Sequence, residues 1–135
     1  MLQRDAISSQ FYIHSFEDGT LKVLSTKKKK PPEQEENYDS YTSTILVSQE
    51  LLRTDDLMTK FDDLNTAILD EVKEQQIEIL LIGTGPSQKF PPIDFLKKTN
   101  DYPFSIDFMD TGAACRTFNI LANENRRVAA LLFPN

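Results

Sequence analysis

Apolar and polar residues alternate from Phe104 to Met109, and at Asp110 the spacing changes to that of a helix. Phe104, Ile106 and Phe108 share one side of a strand. Beyond them Ala114, Phe118 and Leu121 recur on one helical face, and Asp110 and Thr111 are residue types that begin helices. A strand therefore runs into a helix through a very short turn. That turn lies beside the chain's single cysteine, Cys115, and beside Arg116.

The same reading carries along the whole chain. Residues 1–9 are expected to be a loose lead-in. Phe11–Phe16 and Leu21–Leu24 read as strands around the hairpin signal Asp18-Gly19. Residues 26–39 hold four lysines, two prolines and several acids, and are expected to form a mobile charged loop. Its Lys27–Lys30 run suits a phosphate, but the acids that follow neutralise it, which favours a solvated loop tip. Tyr41–Ser48 alternates as a third strand. Thr59-Lys60-Phe61-Asp62 resembles a capping box and opens a predicted helix whose buried stripe is Leu57, Phe61, Leu64, Ile68 and Val72. Ile77–Ile82 is almost continuously apolar, as in a strand covered on both faces. A short helix is expected over Ile93–Lys98, and a last strand over Val128–Phe133.

The predicted order is β-β-β-α-β-α-β-α-β. This is an α/β fold in one domain, residues 1–135, with an N-terminal β-hairpin or meander and an α/β second half. The 77–82 and 104–109 strands, joined through a helix, are expected to be parallel.

Composition narrows the function classes. The chain has 135 residues, 39% hydrophobic and 27% charged, which suits one globular domain. Its formal net charge of −6 opposes nucleic-acid binding. One cysteine and one histidine cannot build a Cys/His zinc site or an internal disulfide, and no metal or cofactor is expected. No apolar run reaches the ~20 residues that span a bilayer, so no membrane insertion is expected. Met1–Asp5 has no secretory pattern, and a cytoplasmic location is expected.

Candidate chemistry gathers where two strands end. Gly83, Thr84 and Gly85 follow one, and Asp110 and Thr111 follow the other; in open α/β sheets ligands bind beyond such ends. Gly-Thr-Gly lacks the third glycine of a dinucleotide fingerprint, because Gln88 stands there. Arg116 is a cation near a helix start, on the face opposite Ala114, Phe118 and Leu121. It either meets an anion, from a ligand or a partner protein, or pairs with Asp110 or Asp107. Cys115 is either an activated thiolate or a buried, inert side chain; His14, the only possible imidazole base, lies on the N-terminal hairpin. Asn119 and Thr117 either orient a ligand or bond to nearby backbone. Lys89 completes the candidate set, and no catalytic residue is assigned.

Leu81–Gly85, Gln88–Pro92, Met109–Leu121 and Arg127–Leu131 together resemble a small-domain family of unknown biochemical function. Its best-known eukaryotic member is mitochondrial complex I assembly factor 3, and it has single-domain bacterial and archaeal relatives. Phe118 stands where relatives often have tyrosine, and Gly112 where they often have alanine. The resemblance implies a three-layer α/β fold with a central mixed sheet and a β-hairpin covering part of one face. It also implies a non-catalytic interaction or assembly factor with protein partners of unknown identity. The other reading is a domain that binds or transforms a small anion, with its site between Gly83–Gly85 and the helix start at Cys115 and Arg116. A homo-oligomer is possible, with the exposed Ile120 or the last strand at the contact.

Overall fold

The computed structural model describes residues 9–26 and 38–135. Three strands, β1 (Phe11–Glu17), β2 (Thr20–Ser25) and β3 (Tyr38–Tyr41), form an antiparallel meander. Next come β4 (Ile45–Ser48), β5 (Leu52–Arg53), α1 (Ala67–Glu74), β6 (Ile79–Gly83), α2 (Ile93–Lys98), β7 (Ser105–Met109), α3 (Thr111–Asn123) and β8 (Val128–Leu132). The second sheet has the order β5-β4-β8-β6-β7. β6 is parallel to both β7 and β8, and β4 runs antiparallel to β8, so the sheet is mixed as expected.

Both faces of that sheet are covered, which is why Leu80, Leu81 and Ile82 form an unbroken apolar run. On one face Phe61, Ile68, Leu69, Val72 and Phe95 pack against Leu80, Ile82 and Leu131. On the other, Ala114 and Phe118 of α3 and Ile13, Leu21 and Val23 of the meander pack against Leu81, Ala130 and Leu132. The result is a three-layer α/β domain.

Three expectations change. The alternating run Tyr41–Ser48 is not one strand. Its first residue ends β3 in one sheet and Ile45–Ser48 form β4 in the other, and β5 adds one more, so five strands precede the first helix instead of three. Thr59 does not start a helix either. Phe61–Asp63 make a single tight turn, Leu64 leaves helical geometry at ψ 129°, and Asn65 accepts a hydrogen bond from the Ala67 N–H at 3.0 Å to begin α1. The predicted stripe is nevertheless buried at Phe61, Leu64, Ile68 and Val72, because the turn and the helix face the same core. Finally, Tyr38 and Asp39, expected in the charged loop, belong to β3. Residues 27–37 of that loop and residues 1–8 lie outside the described residues.

Candidate functional site

Parallel pairing brings the ends of β6 and β7 to one edge, where the predicted loop residues meet. The Thr84 N–H donates to the Met109 carbonyl at 2.9 Å, and the Thr111 N–H donates to the Gly85 carbonyl at 2.8 Å. The Thr111 hydroxyl donates to the Phe133 carbonyl at 2.6 Å and accepts from the Gly85 N–H at 2.8 Å. The Phe133 N–H in turn donates to the Gly83 carbonyl at 3.0 Å. Gly83, Thr84, Gly85 and Thr111 are thus brought together in one buried network.

Two glycines permit this approach. A methyl group on Gly83 would stand 2.8 Å from Thr111 Oγ1 and 2.9 Å from Thr111 Cα. Gly85 adopts φ +110°, and a methyl there would stand 2.9 Å from the Asn135 carbonyl carbon. Thr84 holds the outgoing loop: its hydroxyl donates to the Ser87 carbonyl at 2.7 Å and accepts from the Lys89 N–H at 3.1 Å. Where a ligand would rest against the Gly83–Gly85 loop, the start of α3 and the chain after β8 are bonded to it directly.

The remaining candidates are arranged around this network. Asp110 caps α3, accepting from the Ala113 N–H at 2.9 Å. Cys115 is buried, and its thiol is pushed up to about 12, chiefly by that burial, with the Arg116 charge pulling it downward. At neutral pH it is a protonated thiol, poorly suited to nucleophilic attack. Arg116 and Lys89 are exposed. Among the described residues Arg116 forms no ion pair, so of its two readings the bridge to Asp110 or Asp107 is not formed. Thr117 bonds back to the Ala113 carbonyl at 2.8 Å.

Asn119 is committed to backbone. Its Oδ1 accepts from the Ile13 N–H at 2.9 Å, and its Nδ2 donates to the Ile13 carbonyl at 2.8 Å. The N-terminal hairpin therefore lies directly on α3, and β1 bulges at His14, just past this clamp. His14 itself stacks on Tyr38, with ring centroids 5.1 Å apart. Phe133 and Ile13 were not among the sequence candidates, and no local pattern marks either as a partner of Thr111 or Asn119. Beside the clamp lies a groove of about 440 Å³, whose lining includes Tyr12, Asn119, Ile120 and Asn123. Tyr12 and Ile120 are 51% and 58% exposed there.

Among the described residues, no group of three His, Cys, Asp or Glu could hold a metal ion. No helix of the described residues is long and apolar enough to cross a membrane.

Comparison with known proteins places this geometry in context. The family described as "Protein of unknown function (DUF498/DUF598)" matches residues 13–133. The "13 kDa major membrane protein" of Francisella tularensis is 34% identical over 88 residues, 65% of this chain and 72% of that protein. "NADH dehydrogenase [ubiquinone] 1 alpha subcomplex assembly factor 3" of Drosophila melanogaster is 38% identical over 85 residues, 57% of this chain but only 41% of the fly protein. Among solved structures, an outer membrane protein from Bartonella henselae superposes with a TM-score of 0.70 at 30% identity, covering 94% of this chain and 97% of that one.

Proposed function

The chain belongs to the DUF498/DUF598 family of proteins of unknown function, and we propose that it acts as a non-catalytic interaction or assembly factor. The observation that carries this reading is the Thr111 network. In an open α/β sheet a small ligand would sit beyond the ends of the parallel strands; here the Thr111 hydroxyl and the Phe133 backbone take that place. The only cysteine is buried and protonated, and so offers no nucleophile. The relatives named as assembly factors support the same role. The chain spans well under half of the fly assembly factor, so the client itself is not carried over.

The polar face of α3 is the proposed contact surface. Arg116 is an exposed cation with no ion pair among the described residues, four residues before the exposed Ile120. Tyr12 lines the same groove as Ile120. Arginine, tyrosine and an aliphatic side chain are residue types that anchor protein interfaces. Arg116 would meet a carboxylate of the partner. A cytoplasmic location belongs to the same proposal and is read by cell fractionation.

The test is co-purification of tagged protein from its native extract beside Arg116→Ala, read by mass spectrometry. A stoichiometric protein retained by the wild type and lost in the variant is the expected result. Recovery of no protein partner overturns the reading.

A further inference from the structure

The two sheets end in four edge strands, β1, β3, β5 and β7, and an unpaired edge is a template for another strand. Three of them are blunted or engaged. On β1 the Ser9 hydroxyl bonds the Phe11 carbonyl at 2.7 Å, and Asn119 takes both backbone groups of Ile13. β5 has two residues, and its Arg53 is tied to Glu71 at 2.9 Å. β3 has four residues and carries the charged Asp39.

β7 differs. The Ser105 N–H donates to the Glu78 carbonyl, and the Met109 carbonyl accepts from Thr84. Backbone groups alternate sides along a strand, so Ser105, Asp107 and Met109 face β6 while Ile106 and Phe108 face outward. Of the outward groups only the Phe108 carbonyl is engaged among the described residues, accepting from Gln88 Nε2 at 3.3 Å. The N–H and C=O of Ile106 and the N–H of Phe108 have no partner there.

The side chains along this edge define what would fit. Ile106 and Phe108 are half-buried against the core that contains Phe61 and Phe95. Asp107, on the other face, is exposed and forms no ion pair among the described residues. Gln88 holds its loop to this edge, and two residues further on Phe90 is 96% exposed. Residues directly opposite one another in paired strands share a face. An added strand therefore needs apolar side chains opposite Ile106 and Phe108 and a cation opposite Asp107. A second copy of β7 offers Asp107 no cation in any register, and antiparallel pairing centred on Asp107 would set two aspartates face to face.

We propose that the β7 edge docks an extended partner segment of the pattern apolar–Lys/Arg–apolar, which adds a sixth strand to the five-stranded sheet. This rests on the reading that the protein binds other proteins, but it concerns a different surface from Arg116.

The probe is a capped Thr-Val-Lys-Val-Thr peptide titrated into the full chain and followed by amide NMR, beside the same peptide with glutamate for lysine. Saturable shifts should centre on the Ile106 and Phe108 amides, with the lysine peptide binding about tenfold more tightly. Ile106→Pro removes an N–H that lies outside the β6 ladder, a place where an edge strand tolerates proline; it should abolish binding with the rest of the spectrum intact. Asp107→Lys should reverse the preference between the peptides, and serves if the proline variant does not fold. Equal binding of both peptides, shifts elsewhere, or no binding at millimolar peptide overturns the proposal. If the peptide fails while a protein still co-purifies with the wild type, the edge assignment falls and the interaction role stands.

Discussion

Replacing Thr111 by valine removes one oxygen and keeps the shape of the side chain. That oxygen is fully buried and serves two backbone groups, the Gly85 N–H at 2.8 Å and the Phe133 C=O at 2.6 Å. Neither has another place to turn, because the network sits where a Cβ on Gly83 would already collide. An orphaned buried polar group costs roughly 1–3 kcal/mol. With two such groups and some relaxation, Thr111→Val should destabilise the fold by about 3 kcal/mol, a large part of a typical 5–15 kcal/mol total. The midpoint of thermal unfolding should fall by roughly 10 °C for a domain of this size. Thr111→Ser keeps the hydroxyl and loses one buried methyl, so about 1 kcal/mol is expected. Urea unfolding of the three proteins, followed by circular dichroism, gives the comparison. If Thr111→Val lies within about 0.5 kcal/mol of wild type, the hydroxyl is not holding the loop to the chain after β8, and the argument against a ligand in that place fails.

Other expectations follow from the same contacts. Asn119→Ala should release both backbone groups of Ile13, costing about 1–3 kcal/mol and speeding hydrogen exchange at the Ile13 amide before the rest of β1. Gly85→Ala forces a side chain onto φ +110° and against Asn135, so it should lower stability by at least 1 kcal/mol or so; a neutral result would show that the loop rearranges freely. Cys115 should resist alkylation in the native protein near pH 8 and react readily in urea. Its buried thiol titrates near 12 against an ordinary 9.0, so the folded state keeps the proton that the unfolded state releases. Stability from this group is therefore full below about 9 and falls as pH rises toward about 12. Cys115→Ala should flatten that alkaline decline.

Local signals made the second half of the chain readable and left its long-range bonds hidden. The change of period at Asp110 marked β7 and α3 because a strand side and a helix stripe need different spacings, and each packs against a core here. The apolar run before Gly83 marked a central strand for the same reason. The break between β3 and β4 was hidden for another reason: it falls on three consecutive polar residues, Thr42, Ser43 and Thr44, whose β-branched threonines favour a strand while the chain passes from one sheet to the other. At residue 59 the capping pattern lost to Asn65, which captured the Ala67 N–H. The candidate site was legible as a meeting of two loops, since parallel strands end together. Its closure was not, because the Thr111 hydroxyl bonds a carbonyl 22 residues along the chain. The Asn119 clamp spans 106 residues, and a single asparagine on a helix does not announce its partner.

The position of β8 bears on how the protein is made. Its five residues, Val128–Leu132, lie between β4 and β6 in the middle of the larger sheet, although they follow every other strand of that sheet in the chain. Until they emerge from the ribosome, β4 and β6 have no common neighbour and each presents a raw hydrogen-bonding edge of buried-type side chains. Pairings that wait for such distant residues are slow to form, and exposed edges of this kind aggregate. A nascent chain stalled or cut before Val128 would therefore be a client for chaperones or proteases, and could not yet be a working half of the domain.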